Sequence, residues 1–188
     1  MRLSPAPLEG AEVVALAQEI MKRRRGPLLH LDEALLHSPT FARAWHEFFR
    51  VIRLQLALDP QKLELAVCYV GVLNGAEYEV HHHAPGYLEA GGSPAKLQAL
   101  RKAAAEIETS GLFDATELSI LALARAMTCN LDVEEAVFQT VRSALGDRLT
   151  LELIGVIGAY NMVSRMILAL ELQPEGHETA EASSLPPG

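Results

Sequence analysis

The chain has 188 residues, of which 49% are hydrophobic, 21% charged and 5% aromatic. That length predicts one domain, with enough interior to bury a core without covalent staples. Its 16 Lys and Arg face 24 Asp and Glu, a net charge of −8, which argues against nucleic acid or an anionic membrane surface as a partner.

The N-terminal stretch Met1 to Gly10 has no apolar run like a signal-peptide core, so no secretory leader is expected. No window reaches about 18 consecutive apolar residues. The richest stretch, Leu151 to Leu172, is broken by Glu152, Asn161 and Arg165, so no membrane span is expected. Helical periodicity then dominates the chain. Leu8 to Arg25 reads as a first helix, ended by Gly26-Pro27, with the basic run Lys22 to Arg25 in its last turn, where cations complement the helix dipole. His30 to His37 is predicted to hold a short helical turn. Ser38-Pro39 opens a second long helix to about Leu58, and Asp59-Pro60 repeats that start signal for a third. The third helix stops at Asn74-Gly75, and a fourth covers about Glu77 to Ala90, ending at Gly91-Gly92. Ser93-Pro94 starts a fifth, predicted to end near Glu108. Asp114 to Glu117 has the capping-box pattern of a sixth. Asp132 to Leu145 and Asp147 to Leu170 are the seventh and eighth. Residues Gln173 to Gly188, rich in Glu, Ser, Pro and Gly, are expected to form a flexible tail behind a single domain, residues 1–172. The fold class is all-α.

The two cysteines, Cys68 and Cys129, belong to no CxxC pair and sit among apolar residues. Two buried, reduced thiols are expected, in keeping with a cytoplasmic location. Trp45 with Phe41, Phe48 and Phe49 forms an aromatic cluster at helical spacing, expected in the core or at a subunit interface. His46 beside it reads as structural.

The unusual residues gather in the third and fourth helices. Glu64 stands among Leu63, Leu65, Ala66 and Val67, so its carboxylate must face solvent or find a partner. Beyond Asn74-Gly75 come Glu79 and three consecutive histidines, His81, His82 and His83. Glu79 and His83 are four apart and share a face; Tyr78 and His82 share the neighbouring one. A chain reversal at Gly75 could bring Glu64 against the Glu79–His83 face. A buried Glu beside a His is a unit for proton transfer; the same spacing also serves a purely structural ion pair. Glu79, His82 and His83 are the candidates for a metal site, but HEXXH is absent and adjacent histidines point about 100° apart on a helix. No metal and no other cofactor is expected. On the last helix, Arg165 shares a face with Asn161. It would either grip a substrate carboxylate or pair with Glu152 or another acid to lock helices together.

These residues resemble the carboxymuconolactone decarboxylase family, which includes the alkylhydroperoxidase D branch. Glu64 matches the family Glu, Asn74-Gly75 the turn, and His83 the His before a Gly-terminated stretch. Further likeness lies in Gly111 to Glu117 and Ala159 to Arg165. The resemblance implies an alkylhydroperoxidase D-like bundle of about eight helices around a central helical hairpin. It also implies a homo-oligomer, as trimer, hexamer or dimer. In the peroxidase branch a CxxC pair opens the second helix; here Ala76 and Glu79 fall at those positions, so CxxC peroxidase chemistry is not expected. The resemblance then implies a decarboxylase-like lyase acting on a small organic acid or lactone. Glu64, Glu79 and His83 would be catalytic, with Tyr78, His82 and Arg165 toward the substrate. The alternatives are a peroxiredoxin-type redox protein using Cys68 or an external thiol, and a helical scaffold that has lost the chemistry.

Overall fold

A computed structural model describes residues 1–176. Those residues form nine α-helices and one π-helical turn, with no strand among them. The helices fall into two compact units, one of residues 1–56 with residues 169–176, the other of residues 57–168.

The first unit contains α1 (Ala11–Arg24), α2 (His30–Leu35) and α3 (Pro39–Leu54). The first helix ends as the Gly26-Pro27 pair requires, with Arg25 in the left-handed region at φ 56°. α3 stops at Leu54, four residues short of the expected Leu58. Residues 57 and 58 instead donate their backbone N–H groups to Glu152 Oε2, at 2.8 and 2.9 Å. Trp45 and Phe49 are buried, whereas Phe41 and Phe48 on the same helix are exposed, so only half of the aromatic cluster is core. Two residues of the basic run at the end of α1 are paired: Arg24 Nε lies 2.7 Å from Asp32 Oδ2 and Arg23 Nη2 lies 2.6 Å from His46 Nδ1. Of the expected tail, residues 173–176 are described. His30 Nδ1 lies 2.8 Å from the Gln173 carbonyl oxygen, and the His30 N–H donates to Glu175 at 2.7 Å. The rest of the expected tail lies outside the described residues.

The second unit is built on a tight antiparallel hairpin, α4 (Pro60–Asn74) and α5 (Glu77–Glu89). Asp59 caps α4 by accepting from the Lys62 N–H at 3.1 Å, and Pro60 sits at the first helical position. Gly75 ends the helix at φ 68°, a conformation that costs glycine nothing. The Ala76 N–H donates to the Gly71 carbonyl at 2.8 Å and the Gly75 N–H to Val72 at 3.1 Å, the paired bonds of a Schellman turn. The chain therefore reverses within two residues.

The predicted fifth helix is two short ones, α6 (Pro94–Ala99) and α7 (Ala104–Thr109). Tertiary contacts override the local pattern between them. Leu100 is buried, and Arg101 turns to grip Glu77 through both guanidinium nitrogens, at 2.6 and 2.7 Å. α8 (Ala115–Arg125) opens with the predicted capping box, each of Asp114 and Glu117 accepting the other's N–H at 2.8 Å. It runs into the π-helical turn Ala126–Asn130. That turn leaves Cys129 exposed, against the expectation of a buried thiol; Cys68 is fully buried as expected.

α9 (Glu135–Leu170) is broken at Gly146, where φ 78° and ψ 168° are not helical. Its two segments, 135–145 and 147–170, are the predicted seventh and eighth helices. By length and composition α9 is the one described helix able to cross a membrane, with mean hydropathy 1.7, yet half of that stretch is buried inside the protein. A core helix has the same character. Val156, Ile157, Tyr160, Val163 and Ile167 are its buried face.

Candidate active site

Helix geometry alone sets up the site. On α4, Glu64, Cys68 and Gly71 recur at intervals of four and three, so they share one face. On α5, Glu79, His83 and Gly86 do the same. The two faces meet. A β-carbon built on Gly71 would lie 3.2 Å from Glu79 Cβ and 3.1 Å from Val80 Cγ2; one built on Gly86 would lie 3.4 Å from the Glu64 carboxyl carbon. Gly71 thus lets the helices close to the distance at which Glu64 reaches His83.

His83 Nδ1 and Glu64 Oε2 are 2.7 Å apart. That is a short, charge-assisted contact. An ionised Glu64 accepts the Nδ1 proton; a protonated Glu64 donates to the bare nitrogen. In either state one proton lies between the two groups. The other ring nitrogen, Nε2, lies 3.6 Å from Glu79 Oε2, beyond direct hydrogen-bond range. The side chains of Glu64, His83 and Glu79 are 19%, 10% and 5% exposed, so water screens their interaction poorly. Of the three, the Glu64 carboxyl has the most contact with solvent.

Two further groups complete the surroundings. The Tyr160 ring, on the second segment of α9, meets the His83 ring edge-to-face at 4.9 Å between centroids and 86° between planes. Cys68 is wholly buried one turn after Glu64, and its thiol is pushed up to about 12 by burial, then by the charges of Glu64 and Glu79. A thiol so placed stays protonated near neutrality and is a poor nucleophile.

The sequence-predicted residues divide accordingly. Glu64, Glu79 and His83 come together as one cluster. The closer partner of the imidazole is Glu64, across the hairpin, rather than Glu79 on its own helix. Tyr78 and His82 pack ring on ring, with centroids 4.4 Å apart, and Tyr78 is buried. Arg165 is exposed and donates to the Asn161 side-chain and backbone oxygens, both at 2.8 Å. Its expected alternative partner, Glu152, is instead 3.0 Å from Arg148. Among the described residues no group of three or more His, Cys, Asp or Glu is arranged to hold a metal ion. Tyr160 and Cys68 are the site neighbours that spacing did not assign to the cluster. Their signal was a buried polar group in an apolar helix, which gives no direction across the fold. A separate groove of about 310 Å³ in the second unit is lined by Phe138, Arg142, Asp147, Thr150, Leu151 and Ile154; none of these belongs to the hairpin.

Comparison with known proteins matches part of the chain to a family model. Residues 39–117 match the model of the carboxymuconolactone decarboxylase family. None of the curated proteins matches the sequence. Among solved structures, the chain is similar to an uncharacterized peroxidase-related protein from Silicibacter sp. TM1040, at 20% identity and TM-score 0.78, over 93% of this chain and 92% of that one. It is similar to an alkylhydroperoxidase AhpD core protein from Ralstonia eutropha JMP134, also peroxidase-related and uncharacterized. There the identity is 15% and the TM-score 0.75, over 93% of this chain and 92% of the other. It is also similar to a substituted form of the debrominase Bmp8 in complex with 2,3,4-tribromopyrrole, at 18% identity and TM-score 0.74, over 94% of each chain. At these identities the structures show a common fold and no more. The stretch that carries the Glu64–His83 hairpin thus matches the carboxymuconolactone decarboxylase family model, without a CxxC pair, and the chain shares the fold of alkylhydroperoxidase D-like proteins.

Proposed function

We propose that this protein is a carboxymuconolactone decarboxylase-like enzyme that moves a proton on a small organic acid or lactone, without CxxC chemistry and without a cofactor. The observation that carries this reading is the 2.7 Å contact between His83 Nδ1 and Glu64 Oε2 in a largely buried hairpin. Loss of carbon dioxide from a lactone acid leaves an electron pair on carbon. The conjugated carbonyl takes up that pair, and a proton must then reach the carbon. His83 delivers the proton and Glu64, the more exposed partner, returns one to it from solvent. Glu79 Oε2, 3.6 Å from Nε2, lies beside the ring nitrogen that Glu64 does not hold. A peroxidase-type reading needs a thiolate in the site, and the buried Cys68 thiol, pushed up to about 12, weighs against it.

The test is a thermal-shift screen of wild type, His83→Ala and Glu64→Gln against small lactones, di- and tricarboxylic acids. The panel includes 2,3,4-tribromopyrrole, since the structurally similar Bmp8 is complexed with it. A ligand that binds only the folded state stabilises it by about 2.7 kcal/mol at 100 times its dissociation constant. The expected result is a shift in wild type that His83→Ala loses, followed by turnover that both variants lack. A compound turned over equally well by His83→Ala would overturn the reading.

A further inference from the structure

The geometry points to Tyr160 as a positioning residue for His83, held in register by Asn161; the functional meaning of this rests on His83 being the proton carrier. Glu64, from α4, is hydrogen-bonded to His83 Nδ1, and Glu79, from α5 itself, lies 3.6 Å from Nε2. The ring turns about its Cβ–Cγ bond, a turn that would carry Nδ1 away from Glu64. The Tyr160 ring packs against the imidazole and opposes that turn, standing at 86° to it at a centroid distance of 4.9 Å. A ring wedged in this way keeps Nδ1 aimed at Glu64 and Nε2 turned toward Glu79. Tyr160 is 1% exposed, so its ring has little room to move away.

The next residue fixes where Tyr160 stands. Asn161 is buried within α9 and uses its full hydrogen-bonding capacity. Its Oδ1 accepts from Asn74 Nδ2 at 3.0 Å and from Arg165 Nη1 at 2.8 Å. Its Nδ2 donates to Thr128 Oγ1 at 2.9 Å and to the Ile157 carbonyl at 3.1 Å. Asn74 is the last residue of α4, directly before the turn that launches α5, and Thr128 lies on the π-helical turn. One amide therefore clamps α9 to the hairpin's reversal and to the π turn at once. A rotation of α9 that carried Tyr160 off His83 would break several of these bonds together. Buried polar networks of this kind, fully satisfied, specify one arrangement.

The test reads the His83 ring directly and needs no substrate. Long-range ¹⁵N–¹H spectra distinguish the two imidazole tautomers, and the His83 signals are assigned by their loss in His83→Gln. Wild type and Tyr160→Phe, which keeps a ring, are expected to show one and the same fixed tautomer. Tyr160→Leu and Asn161→Ala are expected to show a broadened or averaged ring pattern while the circular dichroism stays native. Should Tyr160→Leu fail to fold, Tyr160→Met is the substitute. A wild-type His83 pattern in a folded Tyr160→Leu or Tyr160→Met protein, with only a lowered melting temperature, overturns the inference. A fixed tautomer in wild type, lost in Tyr160→Leu, supports it even if no lactone is turned over; that second result would count against the proposed function alone.

Discussion

Burial, not sequence position, separates the two thiols. Cys129 is exposed on the π-helical turn, while Cys68 has no exposure and a thiol pushed up to about 12. At pH 8 a group with that affinity for its proton is thiolate about one part in 10⁴, and reagents attack only the thiolate. A colorimetric thiol reagent should therefore titrate one cysteine quickly in the native protein and the second only in denaturant. Cys129→Ser should abolish the fast phase. Two fast thiols in the native state would mean that the α4 face opens readily and that Cys68 has access to redox chemistry after all.

At the scale of the element, the hairpin depends on how closely α4 and α5 approach. An added methyl on Gly71 meets Glu79 and Val80 side-chain carbons at 3.2 and 3.1 Å, both on α5. Gly71→Ala must push the helices apart, and overpacking of that kind costs about 1–3 kcal/mol. The same methyl on Gly86 lies 3.4 Å from its nearest neighbour, the Glu64 carboxyl carbon, an ordinary contact. Gly86→Ala gains helix propensity worth about 0.5–1 kcal/mol, so it should be neutral or stabilising. Urea unfolding of the two variants checks the contrast; equal effects would mean that the hairpin does not pack as closely as these distances require. This pair also shows what the sequence could reveal. The reversal at Gly75 was readable because Asn-Gly after an apolar helix is local chemistry, and it brought Glu64 within reach of His83. The break between α6 and α7 was not readable, because it depends on Arg101 finding Glu77 and on the burial of Leu100. The edge-to-face contact of Tyr160 with His83 was hidden for the same reason: 77 positions separate them in sequence, and only the packed fold gives α9 a rotation about its axis.

For the molecule as a whole, acid is the most informative stress, because the first unit holds a buried ionic cluster of its own. Asp32 is 1% exposed and is reached by Arg24 at 2.7 Å, by the Leu29 N–H at 2.9 Å and by His46 Nε2 at 3.3 Å. On the other side of the imidazole, Arg23 Nη2 lies 2.6 Å from Nδ1. Arginine can only donate, so Nδ1 must be the acceptor, and the ring proton sits on Nε2 facing Asp32. His46 is thus built in as the neutral form. Burial holds it down to about 4, with Arg23, Arg24 and Arg53 adding to the effect and Asp32 opposing it. The sign follows from linkage. The folded value lies below the ordinary 6.5, so the unfolded chain binds this proton more readily. The stability contributed is complete above about pH 6.5 and is lost as pH falls from there toward 4, up to about 3 kcal/mol at the limit. Wild type and His46→Gln share every carboxylate, so the difference between them isolates this one group. Urea midpoints measured at pH 7.5 and 4.5 should fall further in wild type than in the variant. Hydrogen exchange at pH 5 should show lost protection in α1, α2 and α3, where Arg23, Arg24, Asp32 and His46 reside. An equal fall in both proteins would mean that His46 is already protonated in the fold, which the Arg23 contact does not permit.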